Sequence, residues 1–454
     1  MPQTYKLSIM DYVFSRAEDF GGNFTIHLVA YGSGSFSRDE IEMACAQLAH
    51  RHPLLRARRP SNWREKSFAI DSTVDPSAIN IDFEKVVVSA KSAGPSIDPD
   101  VVDDLWTGLN APRFQFGTGY QWRVSARVFE QAGSAGVFVL IVSVNHAIAD
   151  GRRIWQMTSE LLELLADPKD RTISSQDLPR WDVSKPAPLQ QRFEIFGETV
   201  RTLIWSYRMS LFDRERSTCD AWRNYCYFVR LKPCAGEIIR DRARANAARF
   251  SELVLAAAGL GAVAATPEKA GRRLRVGLSL SNAADAQRSN VNSIMNLGGF
   301  HVGATVLSPD IDLRDAVQKI KPLNLTAFTD YMSYREFSST VTDFLLSRHI
   351  KNCRRTMCVQ FSNVAMSARC RYGRLRILGH WSLLHTFYPF RITWRNSDGW
   401  PDLVFSSPYG QEVVERFAAE TLRHLGCQHA VAFAGSQLGA SISSGLQHAA
   451  AAKR

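Results

Sequence analysis

The stretch Val137–Trp155, VFVLIVSVNHAIADGRRIW, decides how this chain is read. An apolar run of strand character ends at Asn145-His146, and four residues after the histidine Asp150-Gly151 opens a helical pattern. Ile154, Met157, Leu161, Leu162 and Leu165 then recur along one helical face. The local order is strand, short loop, helix, with His146 where the strand leaves its sheet. From such an edge a ring can project into an adjoining cleft, and loops placed there commonly carry function. An imidazole with an ordinary pKa of about 6.5 can take a proton from an alcohol, amine or thiol and later return it. Asp150 suits the helix N-cap, where its charge meets the dipole, so its expected work is to hold the loop by capping or by pairing with an arginine. Gly151 is expected to relieve crowding where the backbone turns into the helix. Spacing alone leaves the plain alternative open: H-x-x-x-D is short, and a histidine satisfied at a strand end accounts for the same letters.

The surrounding sequence supports a sizeable core. The chain has 454 residues, 45% of them apolar, enough for two or three ordinary domains or one pseudo-symmetric pair. No window approaches a membrane span, and Asp11 and Glu18 interrupt the place where a signal peptide would be apolar, so a cytoplasmic location is expected. Eight cysteines lie scattered without a CxxC pair or zinc-finger histidines, and read as reduced, mostly buried thiols; no metal site is expected. The net charge of +11 comes more from Arg than from Lys. The arginines are dispersed and match no nucleic-acid module, so nucleic acid rests on charge alone, beside an anionic ligand or an Arg-rich background.

Strands and helices alternate in the first half. FTIHLVAYGSG reads as a strand, and SRDEIEMACAQLAHRHP as a helix with Ser37 as N-cap, Glu40 three positions on, and Ile41, Cys45 and Leu48 on its buried face. FQFGTGYQWRVSARVFE and AGVFVLIVSVNH read as strands joined by EQAGSAG. The Pro-, Ser- and Asp-rich stretch around 171–190 reads as a linker between a lobe over 1–170 and another over 191–430. In the second lobe RFEIFGETVRTLIWSYRMSLF, FSELVLAAAGLGAVAA, DLRDAVQKIK and QEVVERFAAETLRHLG read as helices. RLRVGLSLS, GFHVGATVLSP, CVQFSNVAM, LRILGHWSLLH and FRITWRNSDGWPDLVFSSPYG read as strands, with NSDGW as a hairpin turn. The tail 431–454 is low in large apolar residues and is expected to be disordered or loosely attached. Two α/β layered lobes of similar size result.

NHAIADG resembles the H-H-x-x-x-D-G motif of the condensation-domain superfamily of acyltransferases, relatives of chloramphenicol acetyltransferase. IEMACAQLAHRHPLLRAR resembles that family's early helix ending in R-H-P-x-L-R, and FSELVLAAAGLGAVAA with RLRVGLSLS resembles the helix and strand that open its second lobe. CVQFSNVAM with HTFYPFRITWRNSDGWPDLVFSSPYG resembles its S-N-x-G strand and the paired strands that follow. The likeness runs from about residue 6 to residue 428. It implies an α/β fold of two chloramphenicol-acetyltransferase-like lobes, a V-shaped pseudo-dimer with a central substrate tunnel. It further implies His146 as the general base that deprotonates an acceptor, Asp150 as the residue maintaining the loop, and no covalent acyl-enzyme. The acyl donor would be a thioester of coenzyme A or of the phosphopantetheine of an acyl carrier protein, the acceptor a small-molecule hydroxyl or amine, and the protein a monomer with no bound cofactor. A basic rim suits the phosphates of the one donor and the acidic docking surface of the other.

The departures are specific. Asn145 replaces the first histidine and is assigned to substrate contact, Ala365 stands where the S-N-x-G pattern has glycine, and the D-F-G-W-G sequence of the plant-type branch does not occur, which points toward stand-alone bacterial types. Ser362 and Asn363 match S-N and are candidates for tunnel-lining polar groups or oxyanion donors, with ordinary strand-end hydrogen bonding as the alternative. His50 and His52 suit helix C-capping; His301, His380 and His385 lie in apolar runs and read as core or tunnel residues. A condensation-like module without catalysis, recruiting carrier-protein assemblies, is the rival reading.

Overall fold

The computed structural model describes residues 3–17, 19, 24–59, 65–88, 96–110, 119–130, 136–167, 175–176, 224–267, 273–281, 298–323, 343, 347, 358–367, 369–384, 389–397 and 399–451. In the first half the strands are β1 (Gln3–Lys6), β2 (Thr25–Ser33), β3 (Ala57–Arg58), β4 (Ser67–Ile70), β5 (Asn80–Val87), β6 (Trp122–Glu130) and β7 (Val137–Asn145). The helices are α1 (Ile9–Ala17), α2 (Arg38–Arg51), α3 (Pro99–Leu109) and α4 (Gly151–Ala166). The second half has β8 (Tyr225–Leu231), α5 (Ala235–Ala245), α6 (Phe250–Ala265), β9 (Arg273–Ser281), β10 (Gly298–Val306), α7 (Leu313–Ile320), β11 (Cys358–Ser367), β12 (Arg371–Tyr372) and β13 (Leu375–Leu384). It ends with β14 (Phe390–Ser397), β15 (Trp400–Ser407), α8 (Gln411–Leu425), β16 (Val431–Gly435) and α9 (Leu438–Ala451).

The strands form a six-stranded sheet in the order β12-β13-β2-β7-β6-β5, a seven-stranded sheet in the order β10-β9-β11-β14-β15-β8-β16, and a small sheet β1-β4-β3. β7 lies inside the first sheet, antiparallel to β2 and β6. Phe138, Leu140, Val142 and Val144 face α2 and α4 through Ile41, Leu48, Ile154, Met157 and Leu161. Val137, Val139 and Ile141 face the opposite way, against Trp106 of α3 and residues of the second lobe. A strand covered on both faces shows no alternation, which is why Val137–Val144 reads as an unbroken apolar run. Ser37 caps α2 with a capping box to Glu40, as its sequence indicates. At the β14–β15 hairpin Gly399 takes φ +82°, the conformation that places glycine in NSDGW.

Two sequence expectations meet a different outcome, and a third falls mostly beyond the described residues. β12 and β13 lie within the span assigned to the second lobe, yet they complete the first lobe's sheet: β13 pairs antiparallel with β2, His380 opposite Ala30 and Trp381 opposite Val29. Grouping elements by chain order cannot reveal such an exchange, because β13 is apolar enough to be covered wherever it lies. The tail expected to be disordered or loosely attached forms β16, on the edge of the second sheet beside β8, and then α9. Leu438, Ile442 and Leu446 of α9 are buried with Val102, Leu105 and Trp106 of α3. Small residues let α9 approach closely: a Cβ on Gly439 would stand 2.2 Å from the carbonyl oxygen of Pro99. A narrow stripe among small residues is thus a packing face, although its large-apolar content is low. The linker span 171–190, apart from residues 175–176, and the helix expected over 192–212 lie outside the described residues. No single described helix is long and apolar enough to cross a membrane.

Ile442→Ala tests the docking of α9. A buried aliphatic truncation costs about 2–5 kcal/mol, whereas a residue in a loose tail costs next to nothing. Urea denaturation of the full chain should show the larger loss.

Candidate active site

The loop from Asn145 to Asp150 is buried throughout, so its main-chain groups need internal partners. The Asn145 N–H donates to Gln121 O at 2.9 Å, the His146 N–H to Phe24 O at 2.9 Å, and the Ile148 N–H to Asn145 O at 3.0 Å. Asn145 Oδ1 accepts the Ala147 N–H at 2.9 Å, an Asx turn, while its Nδ2 reaches Gln121 Oε1 at 3.4 Å. Expected among the substrate-contacting residues, Asn145 has its amide engaged on the loop itself, which asparagine does well because its short side chain folds back on the main chain. Asp150 caps α4: its Oδ1 accepts the N–H groups of Arg152 and Arg153, each at 2.9 Å. Gly151 is the first helical residue and is not among the described glycines of positive φ, so conformational freedom is not the reason for it.

His146 is held at the end of this scaffold with 8% of its surface exposed. Its ring stacks on Phe14 of α1, centroids 4.2 Å apart and planes 28° from parallel, and Phe24 lies behind Phe14 at 4.7 Å. Burial pushes its pKa down from 6.5 to about 3; its own main-chain carbonyl opposes this and the charge of Arg391 adds to it. That carbonyl does not meet hydrogen-bond geometry with Nδ1, which has no partner. The imidazole is therefore neutral across the physiological range.

Arg391 belongs to β14, and this strand supplies the part of the site that its sequence does not announce. Phe390, Ile392 and Trp394 enter the second lobe's core, which leaves Arg391, Thr393 and Arg395 on the other face. Such alternation reads as a strand with one face in water. Here the polar face is buried between the lobes, against β13. Thr393 Oγ1 donates to the Ser382 carbonyl, Arg395 Nη2 donates to Ser382 Oγ at 3.0 Å, and Arg391 Nη1 donates to Gln360 Oε1 of β11 at 3.2 Å. Burial draws the Arg395 guanidinium down to about 9, with Asp150 acting against the shift. His380 of β13 packs on Trp155 at 4.5 Å, and burial pushes it to about 3, with the charges of Arg230 and Arg395 adding. Arg230 pairs with buried Asp402 at 2.9 Å and donates to Tyr31 Oη of the first lobe at 3.1 Å. Burial pushes the Asp402 carboxyl up against the pull of Arg230.

The other candidates separate. Ser362 stands opposite Thr393 of β14 and Ser279 of β9, partly buried, at the point where pairing with β9 ends. Asn363 is opposite Trp394, after which the register with β14 shifts. The main chain thus places S-N on the strand beside β14. The His52 N–H closes α2 by donating to Leu48 O at 3.1 Å, but its ring bonds Glu160 of α4 at 2.7 Å, so it ties two helices together. His385 lies outside the described residues, and of His301 only the main chain is described. Burial raises the thiols of Cys226 and Cys427 to about 12, which removes them as nucleophiles. Among the described residues no group of three or more His, Cys, Asp or Glu is arranged to hold a metal ion.

The architecture is that of known proteins of very different sequence. The first condensation domain of the calcium-dependent antibiotic synthetase is 13% identical over 93% of this chain and 95% of its own, with a TM-score of 0.61. Trichothecene 15-O-acetyltransferase from Fusarium sporotrichioides is 11% identical over 93% of this chain and 94% of its own, with a TM-score of 0.64. The X-domain from teicoplanin biosynthesis is 15% identical over 94% of this chain and 95% of its own, at 0.59. No family model and no curated protein matches the chain. At these identities the likeness speaks for the fold: the two-lobed α/β architecture expected from NHAIADG and its companion stretches is the one observed.

The neutral histidines make stability depend on pH. His146 and His380 have folded pKa values of about 3, well below 6.5. As pH falls below that ordinary value the unfolded chain takes up protons that the folded chain refuses, so stability falls between about 6.5 and 3. Urea midpoints should drop from pH 7.5 to pH 5, and His146→Gln or His380→Gln should each flatten the slope. Asp150→Ala should cost about 1–2 kcal/mol through loss of the cap, with Asp150→Asn recovering most of it, both measured at pH 7.5.

Proposed function

We propose that the protein is an acyltransferase in which His146 acts as general base. His146 accepts the proton of an acceptor hydroxyl or amine through a ring nitrogen. The freed oxygen or nitrogen attacks the carbonyl carbon of an acyl thioester and forms a tetrahedral oxyanion. Its collapse breaks the carbon–sulfur bond, and the imidazolium returns the proton to the leaving thiolate. The products are an ester or amide and a free thiol. The donor is a thioester of coenzyme A or of carrier-bound phosphopantetheine, and the two substrates meet in a tunnel between the lobes of a monomer. Ser362 and Asn363 are placed by this reading near the oxyanion. Fold likeness to condensation domains and to an acetyltransferase supports the reaction class. The observation that carries it for this chain is His146: a neutral imidazole, held by a hydrogen-bonded loop at the seam between the lobes.

The low pKa of the free ring is also what favours the rival reading, a non-catalytic binding module, because a useful base titrates nearer the working pH. Thiol release separates the two. Purified protein with acyl-CoA and acyl-pantetheine thioesters and a panel of alcohols and amines should liberate thiol only when acceptor is present. His146→Ala should lower that rate by about 100- to 10,000-fold. Turnover retained in the mutant contradicts the general-base role; acceptor-dependent release absent from wild type with every donor, carrier-bound ones included, favours the module.

A further inference from the structure

The buried polar face of β14 carries unmet hydrogen-bond donors on Arg395. Arg395 is 3% exposed; Nη2 is bonded to Ser382, but Nε and Nη1 have no hydrogen-bond partner among the described residues. Desolvated guanidinium donors are costly when unmet, and Arg395 is the one arginine among the described residues with two such nitrogens. Asp150 is the carboxylate that acts on Arg395, yet the two form no ion pair, and Asp150 Oδ1 is committed to the N-terminus of α4. Asp402, the other buried carboxylate of the seam, is committed to Arg230. His380 and His146 are neutral rings whose Nδ1 atoms also lack partners, so neither supplies negative charge. Arg391 precedes Arg395 on the same face of β14, and its charge reaches the His146 ring.

We propose that this face of β14 is a carboxylate-recognition element: Arg395, assisted by Arg391, receives a carboxylate carried by one of the two substrates. The identity of the group follows from chemistry. A planar guanidinium matches a planar carboxylate in shape, and one negative charge matches the two unmet donors of Arg395. The carboxylate can belong to the acceptor, as in a hydroxy or amino acid, or to the acyl group, as in a dicarboxylic monothioester. Its arrival also bears on the base: negative charge beside Arg391 offsets the smaller, electrostatic part of the depression of His146, whose main cause is burial. The substrate side of this inference rests on the acyl-transfer reading; the binding itself does not.

Isothermal titration calorimetry on the full chain tests it without turnover. In the acceptor arm, a panel of hydroxy and amino acids is compared with their methyl esters; in the donor arm, succinyl-CoA is compared with butyryl-CoA. In one arm the carboxylate should bind about thirtyfold tighter than its neutral counterpart, and Arg395→Met should abolish the preference while leaving the neutral compound unchanged. Because the substitution removes a buried charge with unmet donors, the variant should melt no lower than wild type. Equal binding of charged and neutral probes in both arms overturns the proposal. So does an Arg395→Met protein that melts lower and keeps the preference, since the guanidinium then serves the fold. A carboxylate preference in a protein that transfers no acyl group would instead refute the reaction and leave the recognition element standing.

Discussion

The structure depends on one strand that the second half of the chain lends to the first lobe's sheet. β13 is hydrogen-bonded along β2 in the first sheet, and within a few residues the chain continues as β14 in the second. Neither sheet can separate from the other without stripping β13 from β2 or breaking the contacts that β14 makes with it. Trp381 sits at this crossing, 5.2 Å from the ring of Tyr31 in the first lobe and 5.2 Å from Phe228 in the second. The apolar cluster around it, with α3 and α9, offsets the cost of burying Arg230, Arg391 and Arg395 along the same seam.

From that seam follows the state of His146. The ring lies on a loop whose main chain is bonded to β2 and β6 neighbours, so it cannot turn out to water to recover its hydration. Desolvation, with the arginine across the lobe boundary, therefore decides its charge. A ring pushed this far down is always free to accept a proton but holds one weakly. Under the acyl-transfer reading the missing basicity has to come with the substrate, and a site that excludes water makes any negative charge brought beside Arg391 effective.

Much of this is legible in the amino-acid sequence. The doubly buried β7 appears as an apolar run, α4 as an apolar stripe behind an aspartate, α2 as a serine with a glutamate three residues on, and the β14–β15 turn as NSDGW. These are local signals, and local physics made them. The rest is set by neighbours distant in sequence. Nothing local to LRILGHWSLL says that its partner is β2. The alternation in FRITWRN correctly separates two faces but cannot say that the polar one is covered, so Arg391 and Arg395 pass for surface residues. Asn145 reads as a departure from a histidine pair, whereas its place in an Asx turn becomes visible only with the loop closed.

The central claim is that the seam keeps His146 an uncharged base in the free protein. Nitrogen-15 spectra of histidine-labelled protein, with His146→Gln to assign the signal, would follow its ring directly from pH 7.5 down to pH 5. A neutral imidazole throughout that range is the expected result, consistent with a pKa of about 3. A ring that titrates near 6.5 would contradict it, because the lobes would then not be excluding water from the histidine on which the proposed reaction depends.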